Sequence, residues 1–343
     1  MLIMSYEYKE GVEKDDFSID NAVLFAFPDE YRAIIKSDWE KIVSKIRAGE
    51  AHLLTEGDTL YLAACTKGKD SNSVRDQPFS DIPAKQRAYS LKSSFMTNIL
   101  RRYIFGYEDD EKIIKDWRIL ETKPLEDIIA QKVSKYIGKT REELKSQFNI
   151  YTNPRNLNML IFSRMIGLAG DAERAHEFEN ANIIPKTICV EKDGNIKESM
   201  SFPAFKFCDI INETWEDSEL RNLIEPAKFL FVIFKKNDVD EPVFERIKFW
   251  NIPAEDLEEV KKVWERTVSI IKAGVQIKTY GQKTKNNLPK STESYVAHVR
   301  PHARNKADTY PLPDGRELTK QCFWFRGCPA CFLILKGVVI SSH

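Results

Sequence analysis

The side chains of this chain that could do chemistry gather in a few short stretches. Thr66-Lys67-Gly68-Lys69 and the later run Tyr295-Val-Ala-His-Val299-Arg300-Pro301-His302-Ala303-Arg304-Asn305 set basic groups among small and aromatic ones. That mixture suits a duplex, because an arginine fork can grip guanine O6 and N7 together and a lysine can neutralise a phosphate. Cys328-Pro-Ala-Cys331 with Cys322 nearby suggests zinc, but no second ligand pair stands at finger spacing, and no metal is expected there. His176 beside Glu177 has the letters of a general base, and a turn cap or a solvent-facing ring is the expectation. Glu126, taken alone, reads as an exposed helix glutamate.

These residues sit on a chain that repeats itself. Leu24-Phe-Ala-Phe-Pro28-Asp-Glu30, running on to Trp39-Glu40-Lys-Ile-Val43-Ser44-Lys-Ile46-Arg47-Ala48-Gly49, aligns without a gap on Phe249-Trp-Asn-Ile-Pro253-Ala-Glu255, running on to Trp264-Glu265-Arg-Thr-Val268-Ser269-Ile-Ile271-Lys272-Ala273-Gly274. Nine of the quoted positions are identical, including the Pro, the Trp-Glu pair and the Ala-Gly end. Two copies of one unit are implied, the first of them beginning too near residue 1 to be whole.

The hydrophobic pattern supplies the elements. Residues 21–27 read as a buried strand, and Pro28 opens a helix whose Ile34, Ile35, Trp39, Ile42, Val43 and Ile46 mark one face, with Gly49 as its C-cap. Strands are expected over 59–65, 183–190 and 229–234. Helices are expected over 125–139, 157–168 and 254–273, followed by a basic, Pro-rich loop over 299–320. The acidic stretch from Tyr107 to Lys112 is the best boundary, giving a first unit over 1–107, a second over 108–325 and an atypical tail over 326–343. Strands alternating with helices argue an α/β or α+β fold with mixed central sheets.

At 343 residues with 30% charged and a formal charge of zero, bulk electrostatics selects no partner, since binding depends on where basic groups cluster. Six scattered cysteines argue against a disulfide framework and fit a reducing cytoplasm. No apolar run reaches membrane-spanning length, so no membrane partner is expected.

Tyr295–Asn305, followed by Leu312-Pro313-Asp-Gly315-Arg-Glu-Leu318-Thr-Lys320-Gln-Cys-Phe323, resembles the C-terminal half of the MutH-like endonucleases. In that family a V-R-P-K-A-x-N loop and an L-P-x-G-x-x-L-x-K-x-x-F segment recur. It includes the mismatch-repair nicking enzymes and the GATC-cutting type II restriction endonucleases of the Sau type. The latter carry two such domains, a catalytic one and a degenerate effector. Gly57–Gly68 and Gln77–Lys92 look like the matching half of a catalytic domain.

The resemblance implies tandem MutH-like units of the PD-(D/E)XK nuclease fold, with double-stranded DNA containing GATC as partner and Mg²⁺ as cofactor. It places Arg300, Pro301, His302, Arg304 and Lys320 at the DNA, and Thr66, Lys67, Lys69, Tyr89 and Lys92 in the parallel positions of the first copy. His302 departs from the family's lysine. Glu177 stands where the family has Asp and Lys186 where it has Lys, but Ile184 replaces the second acid, and an isoleucine offers a metal no oxygen. Glu126 matches a further acid. The second unit alone is therefore expected not to cut, and magnesium is expected not to bind this chain by itself. A missing catalytic segment or a second copy on the DNA would complete the system. The rival readings are a non-catalytic DNA-binding module or effector partner of a separate nuclease, and a mismatch-repair nickase.

Overall fold

The computed structural model describes every residue except 8, 10, 69–72, 108–110, 198, 281–282 and 326–343. Lys69, the core of the acidic stretch and the cysteines at 328 and 331 therefore lie outside the described residues. Packing divides the chain into two units, Met1–Lys186 with Lys228–Leu230, and Thr187–Ala227 with the chain from Phe231 onward. Both mix helices with small sheets.

In the first unit β1 (Leu2–Tyr6) pairs antiparallel with β2 (Ile19–Leu24), Leu2 opposite Leu24. The buried strand expected over 21–27 is instead this strand, and Leu24 is 84% exposed. A two-stranded ribbon has only one face to bury, and among the described residues no third strand joins it. The chain turns at Pro28 into α1 (Asp29–Arg47), with Asp29 and Glu30 in its first turn and Lys45 and Arg47 in its last, each sign matched to the helix dipole. Tyr31, Ile34 and Ile42 are buried, while Trp39 is exposed. The buried stripe runs instead through Asp38, whose carboxylate accepts the backbone N–H groups of Leu60 at 2.9 Å, Tyr61 at 2.7 Å and Leu62 at 3.0 Å.

The helix stops as the sequence reading expects, one position on. Gly49 donates to Ile46 and Glu50 to Lys45, the paired bonds of a Schellman end, with Gly49 at φ 76°. A Cβ at Gly49 would also stand 2.5 Å from the Phe79 carbonyl oxygen.

Asp38 fastens α1 to the start of β3 (Leu62–Thr66). The hairpin of β4 (Val74–Gln77) and β5 (Ser80–Lys85) follows, and β6 (Arg87–Leu91) returns to pair with β3, Leu62 opposite Leu91. Then come α2 (Ser93–Tyr103), α3 (Leu125–Ser134), α4 (Arg141–Gln147), α5 (Leu157–Met165) and α6 (His176–Ala181). The helix expected over 125–139 ends at Ser134, and the backbone reaches φ 83° at Gly138. Ser94 and Asn98 on α2 hydrogen-bond the carbonyl and side chain of Asn180 on α6.

β7 (Ile183–Val190) starts in the first unit and ends in the second. The second unit continues through β8 (Met200–Phe205), α7 (Phe207–Ile210), α8 (Glu219–Ile224), β9 (Lys228–Lys236) and β10 (Pro242–Asn251). β9 lies between β10 and β7, and every residue from Lys228 to Phe234 is buried, as the unbroken apolar run requires. α9 (Ala254–Ala273) follows Pro253, then the β11 (Ile277–Tyr280) and β12 (Lys283–Asn286) hairpin. The loop expected over 299–320 proves largely paired: β13 (Ala297–Pro301), β14 (Thr309–Pro311), β15 (Glu317–Thr319) and β16 (Gln321–Phe325) form two antiparallel pairs, β13 with β16 and β14 with β15. β8 lies on the other edge of β16.

One order of elements thus occurs twice, with the β11–β12 hairpin added after the second long helix: paired strands, proline, long helix, strand, hairpin, returning strand. Its backbone bonds recur as well. Lys67 donates to Gln86 at 2.9 Å and Gln86 to Ser73 at 3.1 Å; His302 donates to Lys320 at 2.8 Å and Lys320 to Asp308 at 3.1 Å.

Removing the Asp38 acceptor strands three N–H donors. Asp38→Ala is expected to lower unfolding stability by at least about 3 kcal/mol, from roughly 1–3 kcal/mol per buried group left unpaired. Urea unfolding monitored by circular dichroism reads this as a lower midpoint with an unchanged slope.

Candidate nucleic-acid interface

β13 delivers Arg300 and Pro301 at its end, opposite Cys322 and Gln321 of β16, and the loop beyond carries His302 and Arg304. Arg300, Pro301, His302 and Arg304 are all exposed. The Arg300 guanidinium lies 5.2 Å from the centre of the Trp324 ring, and the His302 ring is 5.7 Å from it, so one indole braces both groups. Asp308 organises the far side of the loop. It accepts the Arg304 N–H at 3.0 Å and pairs with Lys320 Nζ at 2.6 Å, while Lys320 also lies 4.5 Å from the Tyr310 ring centre. The Lys320 hydrogen bond, then the Arg304 N–H, hold the Asp308 carboxyl below the usual range. The structure therefore brings Arg300, His302, Arg304 and Lys320 to one loop system on two antiparallel strands.

In the first unit Thr66 ends β3 opposite Arg87, Lys67 is exposed beyond it, and Tyr89 on β6 is 51% exposed. Lys92 is placed differently. It is buried, and its amine donates to the Ala181 carbonyl at 3.1 Å. Burial first, and then the Lys228 charge, lower its pKa to about 7.

Glu177, Lys186 and Glu126, which the resemblance sets at acid and lysine positions, each meet another partner. Glu177 is buried and accepts the N–H groups of Ile113 at 2.9 Å and Ile114 at 2.7 Å; burial raises its carboxyl pKa and these bonds pull against the rise. Lys186 meets Glu173 at 3.3 Å on the surface. Glu126 is not an exposed helix glutamate: its carboxylate meets Lys228 Nζ at 2.6 Å. Burial raises the Glu126 carboxyl, but the Lys228 and Lys41 charges outweigh it and leave the pKa below the ordinary value. His176 is neither a solvent-facing ring nor a cap; it is buried, 2.9 Å from the Asn180 amide.

A magnesium ion does not fit this set. Glu177 spends both oxygens on backbone donors, Glu126 is taken by a lysine, and Ile184 has nothing to offer. Among the described residues no group of three His, Cys, Asp or Glu could hold a metal.

Sequence reasoning missed Asp38, Asn180 and Lys228. Lys228 had a legible signal, since it opens a run, Phe229–Phe234, too apolar to leave its first side chain in water. Asp38 had none, because its three partners are backbone groups more than twenty residues away.

The pair and the buried amine give opposite pH signatures. Lys228→Met leaves Glu126 half-buried without its cation, and a loss of about 3–5 kcal/mol is expected, most of it restored in the double variant Glu126→Leu/Lys228→Met. The depressed Glu126 pKa means that its stabilisation is present above pH ~4.3 and is lost as pH falls through the folded value, so the wild type's acid-side loss should shrink in the double variant. Lys92 has a folded pKa near 7 against an unfolded value of about 10.4, so the unfolded state holds the extra proton between these values. Stability should therefore rise with pH across that window, by up to about 1.4 kcal/mol per pH unit, relative to Lys92→Met. Denaturant midpoints at pH 7, 8 and 9 check the slope.

No protein-family profile matches the chain. The type II restriction enzyme Sau3AI of Staphylococcus aureus is 39% identical to it over an alignment of 361 positions, which takes in 93% of this chain and 74% of that enzyme. Among the described residues no helix is long and apolar enough to cross a membrane. Identity at that level over nearly the whole chain carries more weight than any single motif, and it makes this chain a member of the type II restriction endonucleases of the Sau type.

Proposed function

We propose that this chain binds double-stranded DNA at GATC as the recognition and effector part of a type II restriction system, with tandem MutH-like units over 1–107 and 108–325. The observation that carries the reading is the exposed loop after β13. It presents Arg300 and His302 braced on one indole, next to a lysine and an aspartate that fix its other side. Arg300 would read guanine, His302 the neighbouring base edge, and Lys320 and Arg304 the phosphates. Thr66, Lys67, Lys69 and Tyr89 would serve the parallel loop of the first copy. Lys92, with its amine turned to a carbonyl, is assigned to packing. The family relative, named as a restriction enzyme, favours restriction over a repair nickase.

Cutting needs acids and a metal that the Glu126, Glu177 and Lys186 set does not supply, so the second copy, 108–325, is assigned to binding alone. The repeated loop architecture supports two such binding faces in one chain.

A gel-shift titration on a duplex with one GATC against a scrambled duplex, at about 150 mM salt, tests the reading. The wild type is expected to prefer GATC. Arg300→Ala should remove about 1–3 kcal/mol of that preference, roughly 5- to 150-fold, whereas Lys320→Ala should weaken both duplexes alike and flatten the salt slope by about 1. Equal affinity of the wild type for both duplexes would undo the specificity.

A further inference from the structure

The pairing of β8 with β16 is irregular at one point. Between Cys322 and Trp324 on β16 stands one residue, Phe323, whereas the matching stretch of β8 from Ser201 to Ala204 holds two, Phe202 and Pro203. Such a β-bulge bends its strand and re-aims the side chains on it. Beside the bulge lies a cavity of about 220 Å³, bounded by β8, β16, α7, α8 and α9, with Phe202, Phe205, Leu220, Trp264 and Phe323 among its walls. An apolar cavity of ~150 Å³ holds one benzene ring, so this one has room for two fused rings.

The polar groups lining this space are few and largely unspent. The Trp264 indole N–H is buried without a hydrogen-bond partner, in a residue only 4% exposed. Buried donors are seldom left so, and this one calls for an acceptor. Half-buried Glu213 and exposed Glu219 also line the cavity, and Glu213 accepts the Glu219 N–H at 3.3 Å. Burial raises the Glu213 carboxyl pKa, the Glu219 N–H pulls against the rise, and the charges of Glu219 and Asp209 add to it. Among the described residues no cation pairs with Glu213 or Glu219, so the site asks its ligand for hydrogen-bond donors and disfavours a phosphate.

We infer that this cavity binds the guanine base of a free nucleoside. Guanine is a flat pair of fused rings whose O6 accepts a hydrogen bond while N1–H and the N2 amine donate side by side. O6 would take the Trp264 N–H, and the donor edge would take the Glu213 carboxylate, with Glu219 next to it. The rings would lie against Phe205 and Phe323, whose centroids are 5.0 Å apart. Adenine offers a lone pair at N1 where guanine offers a proton, so it would meet the carboxylate with repulsion. Phe323 and Trp324 are consecutive on β16 and face opposite ways. The cavity is therefore across the sheet from the indole that braces Arg300 and His302, and a duplex held there does not present its bases to it.

Isothermal titration of the full chain with guanosine is the test. One site per chain is expected, with a dissociation constant on the order of 10–100 µM for a ligand of that size. Adenosine and guanosine monophosphate should each bind about tenfold more weakly or worse. Glu213→Gln keeps an acceptor for the Glu219 N–H, so it should hold its melting temperature and lose about tenfold in guanosine affinity. Trp264→Phe keeps an aromatic wall without the donor and should lose roughly 3- to 10-fold. A saturating duplex with one GATC should leave the guanosine titration unchanged. Absence of guanosine binding overturns the proposal, as does equal affinity for adenosine, or full affinity in a folded Glu213→Gln. Displacement of guanosine by the duplex overturns the assignment to a free nucleoside and gives the pocket to a base of the DNA. None of these titrations depends on which sequence the loop after β13 prefers.

Discussion

The loop that carries Arg300 and His302 exists because two backbone bonds close its base. His302 donates to Lys320, and Lys320 in turn to Asp308, so the chain leaves β13, makes its excursion through β14 and β15, and is forced back into register at β16. Arg300 and His302 are thereby held against one indole, and Lys320 and the Arg304 N–H against one carboxylate. Lost pairing there would free the basic side chains to scatter, and a flexible arginine loses rotamer freedom on binding that a stacked one has already lost. The same pair of bonds, through Lys67 and Gln86, closes the loop of the first copy. Recurrence of the closure, with different side chains on it, argues that the backbone frame is the inherited part and the base-facing residues are the adjustable part.

Glu177, Glu126 and Lys186, which the resemblance sets at acid and lysine positions, each have a partner of their own: Glu177 takes two backbone donors, Glu126 takes Lys228, and Lys186 meets Glu173 at the surface. These contacts are structural. Glu126 with Lys228 ties the first strand residue of β9 to α3, and Glu177 pins the chain at Ile113 and Ile114 to α6.

Much of the frame was legible in the sequence. The Pro28 and Pro253 helices, β7 and β9 were fixed by apolar period and proline, signals that act within a few residues. What failed was non-local. The strand expected over 21–27 was judged buried from its side chains, but burial depends on neighbours that the repeat places in only one copy. The loop expected over 299–320 was read as open because basic and proline residues hide short strands whose partners lie further along the chain, Thr319 for Thr309 and Gln321 for Pro301. At the candidate site, residue identity gave Arg300, His302, Arg304 and Lys320, and the structure brings them together. Identity could not reveal that Lys92 is buried, nor that Glu126 has a cation 102 positions later.

The central claim is that this fold reads GATC through the closed loop after β13. Nuclease footprinting of the full chain on a duplex of a few hundred base pairs with a single GATC, at about 150 mM salt, asks this without choosing the site in advance. The account predicts one protected window centred on GATC, present in the wild type and lost in Arg300→Ala. Uniform protection along the duplex, or a window elsewhere, would contradict it.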